Sequence, residues 1–124
     1  MTAYERLGGE AGVNALMDGL YVRVLADPLL SSFLAGVDID RLKSKQFAFV
    51  SQATGGPHQY VGSLTQAHAR LQIEQQHFDA FAEHMRGVLQ DLGADDALIN
   101  ELMSMVQAVR PLIVNARSTI TAST

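Results

Sequence analysis

Three of the chain's four histidines, His58, His68 and His77, fall within the stretch "GGPHQYVGSLTQAHARLQIEQQHFD"; the fourth is His84. An imidazole ligates a metal, moves a proton or completes a hydrogen-bond network, and its surroundings in the fold decide which. The absence of cysteine excludes disulfides, thiolate metal sites and thiol catalysis. A di-iron bundle needs two Glu-x-x-His motifs and two further glutamates. Here Glu74-x-x-His77 stands alone, and Glu101-x-x-Ser104 breaks the pair. No serine or aspartate arrangement suggests a nucleophilic triad. The break Gly55-Gly56-Pro57 lacks the lysine of a phosphate-binding loop. The remaining source of chemistry is polar side chains on faces that would be buried.

Those faces follow from the apolar spacing, which is helical in every segment. Thr2 and Glu5 form a capping box for a short first helix stopped by Gly8-Gly9. From Glu10 to Asp27 the stripe is Val13, Leu16, Met17, Leu20, Tyr21, Val24 and Leu25. A brief helical turn follows, with Pro28 at its first position and Gly36 closing it. Asp38 is the expected N-cap of a helix to about Thr54, and Gly55 ends it. Ser63 and Gln66 open a helix over 64–71. Two longer helices complete the chain, one over about 75–92 with Phe78, Phe81, Ala82, Met85, Val88, Leu89 and Leu92 inward. The last runs from Asp95 to about Asn115 on Leu98, Leu102, Met105, Val106, Val109, Leu112 and Ile113, with a kink or break at Pro111. The expected class is all-α, as a single domain over 1–117 with a frayed tail over 118–124.

Three polar residues interrupt these apolar faces. Tyr21 lies in the middle of its stripe, Gln46 lies between Leu42 and Phe49, and His68 lies one turn after Leu64. Singly, each has an ordinary explanation: a core phenol bonded to a carbonyl, an amide reaching water, a satisfied imidazole. Jointly, an imidazole and two hydrogen-bond donors from three helices suit a haem with a small ligand on its iron. His77 falls in a first helical turn on the flank of its stripe and reads as structural or solvent-facing. His58 and His84 read as solvated.

The charge balance of −4, from 9 basic and 13 acidic residues without a basic cluster, argues against nucleic acid as a partner. No apolar run is long enough for a membrane span. The first residues, "MTAYERLGGE", show no secretory signal, so a cytoplasmic location is expected.

With these residues in view, the sequence resembles the truncated haemoglobins of group I. "YERLGG", "LYVRVLADPLL", "RLKSKQFAF", "GGP", "QAH" and "HFD" occur in that family's order and approximate spacing. The resemblance implies a shortened globin fold, a two-over-two helical sandwich around a haem. It makes His68 the proximal iron ligand, and Tyr21 and Gln46 the distal polar pair. Leu42 matches a position that is glutamine in some members and apolar in others. Lys45, Arg70 and Tyr60 are implied near the haem propionates, and Phe33, Leu34, Leu64, Ile73 and Phe78 along the haem faces. The chain departs from the family at Leu34, where a second phenylalanine is common. It also has Val50 where members with an apolar ligand tunnel can carry phenylalanine. Some members bind haem covalently through a C-terminal histidine. This chain has none after His84, so non-covalent haem b is expected.

The implied activity is reversible binding of dioxygen, carbon monoxide and nitric oxide. Tyr21 is the expected first donor to dioxygen, steadied by Gln46. Two alternatives accompany it: nitric oxide dioxygenation, which needs an external electron-donating reductase, and gas or redox sensing through a separate partner.

Overall fold

The computed structural model describes residues 1–115, and its regular elements there are eight α-helices and one 3-10 turn. They are α1 (Ala3–Arg6), α2 (Gly9–Ala26), α3 (Pro28–Ser31), the 3-10 turn (Ser32–Leu34), α4 (Ile39–Thr54), α5 (Leu64–His68), α6 (Gln75–Asp91), α7 (Asp96–Ala108) and α8 (Arg110–Ile113). The expected boundary at residue 117 and the tail 118–124 lie outside the described residues.

Local chemistry sets most of these ends. Thr2 Oγ1 accepts from the Glu5 N–H while the Glu5 carboxylate accepts from the Thr2 N–H, the reciprocal capping box. Asp27, Asp38, Ser63 and Asp95 each accept a backbone N–H in the first turn of the helix they precede. At the end of α4, Gly55 turns left-handed at φ +92° and the Gly56 N–H reaches the Ser51 carbonyl at 2.7 Å. That geometry closes the helix and starts the loop toward α5.

The long helices form two pairs. α2 packs against α4, α6 packs against α7, and α2 also lies against α6. At the α2–α6 contact, a Cβ on Gly19 would lie 2.8 Å from Val88 Cγ1, so the two helices approach closely only because Gly19 has no side chain. The core below this contact holds Leu16, Met17, Leu20 and Leu89, all nearly inaccessible to water. Each such side chain contributes roughly 1.5–3 kcal/mol of burial free energy.

Four expectations need correction. Leu25 is exposed because it follows Val24 by about 100° of helical turn, beyond the buried arc. Leu92 and Leu112, at the ends of their stripes, are exposed as well. The helix expected over 64–71 stops at His68, and the chain then turns through a left-handed Gln72 at φ +52°. The final helix does break, as expected, at Val109 between α7 and α8. Pro111 accounts for the break: it has no N–H for the Gln107 carbonyl, and its ring would crowd that carbonyl in a continuous helix.

Candidate functional site

Between the helix pairs lies a cavity of about 480 Å³, walled by α2, α4, α5, the first turns of α6 and the end of α7. Its lining is mostly apolar with few polar groups, the composition of a cofactor or small-ligand pocket. Tyr21, Gln46 and His68, from three helices, all line it.

Tyr21 is almost wholly buried, and its hydroxyl donates to Gln46 Oε1 at 2.6 Å. Burial pushes the phenol pKa well above its ordinary value, so the group stays protonated and remains a donor. With Oε1 engaged, the Gln46 amide N–H groups stay uncommitted.

The histidines separate by what their Nδ1 atoms touch. His68 Nδ1 lies 2.7 Å from the Leu64 carbonyl oxygen. A carbonyl only accepts, so Nδ1 carries the proton and Nε2 keeps its lone pair. His77 is the opposite case, because its Nδ1 accepts the Glu74 N–H at 2.9 Å. Neutral His77 therefore protonates at Nε2, caps α6, and packs edge-on against Phe33 at 4.8 Å. It lines the cavity as a donor rather than as a ligand.

The other two histidines are held, contrary to expectation. His58 Nδ1 lies 3.0 Å from Oγ of the fully buried Ser51, and its ring meets Phe47 edge-on at 4.8 Å. The Phe47 ring and the Ser51 hydroxyl at the ring edge leave His58 half-buried. His84 Nε2 lies 2.7 Å from Asp27 Oδ2, joining α6 to the start of α3. Asp27 is held below the usual carboxylate range first by His84 and then by the Leu29 N–H.

Phe33, Leu34, Leu42, Lys45, Tyr60, Leu64, Ile73 and Phe78 also line the cavity. Tyr60 is fixed there by its N–H to Gln52 Oε1 at 2.7 Å and by an edge contact with Phe49. Phe78 is covered by the Arg110 guanidinium, 4.5 Å from the ring centroid. Arg70 is not in the lining; it is exposed, beyond the end of the shortened α5. Phe81, Met105, Val106, Val109 and Ile113 extend the apolar wall, and their inward helical spacing was the only advance sign of it.

Among the described residues no cluster of three or more acidic or histidine side chains exists that would hold a bare metal ion. A metal in the cavity must therefore bring most of its own ligands, as iron in a porphyrin does. One imidazole with a free Nε2, an apolar slot and two polar groups from other helices fit that requirement.

Fold and cavity together define a shortened globin, and comparison with known proteins agrees. The family of bacterial-like globins matches residues 2–115. A group 1 truncated haemoglobin of Tetrahymena pyriformis is 36% identical over 110 residues, covering 88% of this chain and 91% of that protein. One from Mycolicibacterium paratuberculosis is 34% identical over 116 residues, covering 93% and 85% respectively. The ferric crystal structure of the Tetrahymena pyriformis protein superposes with a TM-score of 0.88 at 34% identity, covering 93% of this chain and 99% of that one. A 2/2 haemoglobin from Synechococcus, with covalently attached haem, gives a TM-score of 0.88 at 34% identity with the same coverage. The chain belongs to the truncated haemoglobin family, group I. It is thus a globin of the haem- and oxygen-binding kind. No described helix is long and apolar enough to cross a membrane.

Proposed function

We propose that the chain holds haem b non-covalently through His68 Nε2 and binds dioxygen and other diatomic gases reversibly, with Tyr21 and Gln46 donating to the gas. The observation that carries this reading is the 2.7 Å contact of His68 Nδ1 with the Leu64 carbonyl, which directs the proton to Nδ1 and leaves the Nε2 lone pair for a metal. When bound, haem would supply the iron that takes up the gas.

The rest is the work of side chains. The Leu64 carbonyl fixes the ring plane of His68 and raises the basicity of Nε2. Lys45 and Tyr60, both in the cavity wall, are suited to the carboxylate edge of the macrocycle. Phe33, Leu34, Leu64, Ile73 and Phe78 exclude water from its faces, and Leu42 leaves the distal side with two polar groups. The Tyr21 proton is committed to Gln46 Oε1, so the Gln46 amide is the first free donor and Tyr21 orients it. A half-turn of the amide reverses these roles and frees the phenol. Either arrangement offers a hydrogen bond to a ligand that gains negative charge, worth about 1.5–3 kcal/mol in a dry pocket. Tyr21→Phe removes the phenol and orphans Gln46 Oε1. Stopped-flow measurement should show dioxygen leaving about 10- to 150-fold faster than from the wild type. An unchanged rate refutes the distal assignment.

Two polar groups on the distal side, placed to retain dioxygen, favour nitric oxide dioxygenation with an external electron-donating reductase as a second reading. Nitrate yield that continues with a supplied electron donor supports it; loss of nitric oxide without nitrate refutes it.

A further inference from the structure

α5 is only five residues long, and residues 69–74 lie outside the main buried core. That segment meets Asn115, which follows α8. Asn115 Oδ1 accepts the Ile73 N–H at 2.8 Å, and the Asn115 N–H donates to the Ile73 carbonyl at 2.9 Å. Asn115 Nδ2 donates to the His68 carbonyl. One side chain therefore joins the last residue of α5 to Ile73, across the left-handed Gln72.

Asn115 is itself anchored. It lies two residues beyond α8, whose first residue, Arg110, donates to Gln75 Oε1 and Asp79 Oδ1 at 2.6 Å each. The same guanidinium covers Phe78. α8 is thus fixed to α6 at one end and holds the 68–73 segment at the other. Ile73 lines the cavity and is buried, so the clamp fixes both a wall residue and the histidine.

We propose that Asn115 is a positioning residue for His68: it fixes the end of α5 and thereby the direction of the imidazole. The inference rests on the reading of His68 as iron ligand. Local sequence pairing gives no hint of it, because 47 residues separate the two.

The test uses the full-length chain loaded with haem and two substitutions. Asn115→Ala removes both side-chain bonds. Asn115→Asp keeps the acceptor for the Ile73 N–H but sets an anionic oxygen against the His68 carbonyl. Amide exchange at Ile73 should rise about three- to tenfold in Asn115→Ala and stay near wild type in Asn115→Asp. Haem transfer to excess apomyoglobin should accelerate in both, and the ferrous iron–histidine stretching band should shift or broaden in both. Unchanged exchange at Ile73 in Asn115→Ala overturns the clamp. Faster exchange with unchanged haem loss and an unchanged stretching band overturns its action on His68. A His68→Ala protein with wild-type spectra instead refutes the ligand assignment, and Ile73 exchange still decides whether the clamp exists.

Discussion

The cavity's two walls are built on different principles. The wall bearing Tyr21 and Gln46 comes from helices of 18 and 16 residues, and the Tyr21 side of it is anchored in the deepest part of the core. Leu16, Met17 and Leu20 flank Tyr21 on α2, and the phenol's partner is a single side chain. The wall bearing His68 comes from a five-residue helix in a long connection. There the backbone is held by individual hydrogen bonds, from Ser63 at one end and Asn115 at the other. Packing fixes Tyr21 cooperatively with the whole domain, and the shared hydrogen bond ties Gln46 to it. The proximal histidine is fixed locally, so its order depends on a few polar contacts and on whatever fills the cavity.

That contrast breaks most visibly under mutation of the distal support. Leu20→Ala removes a side chain with no exposure, and denaturant unfolding should show a loss of about 3–5 kcal/mol. A loss under 1 kcal/mol would mean that the core around Tyr21 is softer than its burial implies. On the proximal side, Ser63→Ala removes the acceptor for the Gln66 N–H and should cost about 1 kcal/mol. The effect should appear as faster amide exchange within 64–68 while global unfolding barely moves. Equal shifts in local and global stability would erase the distinction between the walls.

The smallest effect concerns α3, which leads into Phe33 and Leu34. His84 and the Leu29 N–H hold Asp27 below the usual carboxylate range, so the fold favours its ionised form. The resulting stability is fully present above the ordinary carboxylate pKa and is lost as pH falls through the depressed one. Asp27→Asn should therefore melt below the wild type at neutral pH, and the gap should close as pH drops below about 4. Asn keeps an acceptor for the Leu29 N–H, so a gap independent of pH would mean that the Asp27 charge contributes nothing.

The distal wall was also the more legible in the sequence. Tyr21 and Gln46 each interrupt an apolar stripe on a helix whose ends are marked by Asp27, Asp38 and Gly55, so the faces could be assigned. His68 was legible from its place one turn after Leu64, which is also the carbonyl it bonds. What escaped was tertiary. The helix over 64–71 looked continuous because Leu71 keeps helical spacing, whereas the left-handed turn at Gln72 answers to Asn115. His58 and His84 looked solvated because Ser51 and Asp27 meet them only after folding, the latter across 57 residues.

The most direct test of the account is the absorption spectrum of His68→Ala beside the wild type, each reconstituted with haem, reduced and exposed to carbon monoxide. The wild type should show a strong Soret band that shifts sharply with carbon monoxide. His68→Ala should lose that band or change it, with recovery on adding free imidazole. A His68→Ala spectrum indistinguishable from the wild type, or a wild type that stays colourless, would contradict His68 as the residue that holds the iron.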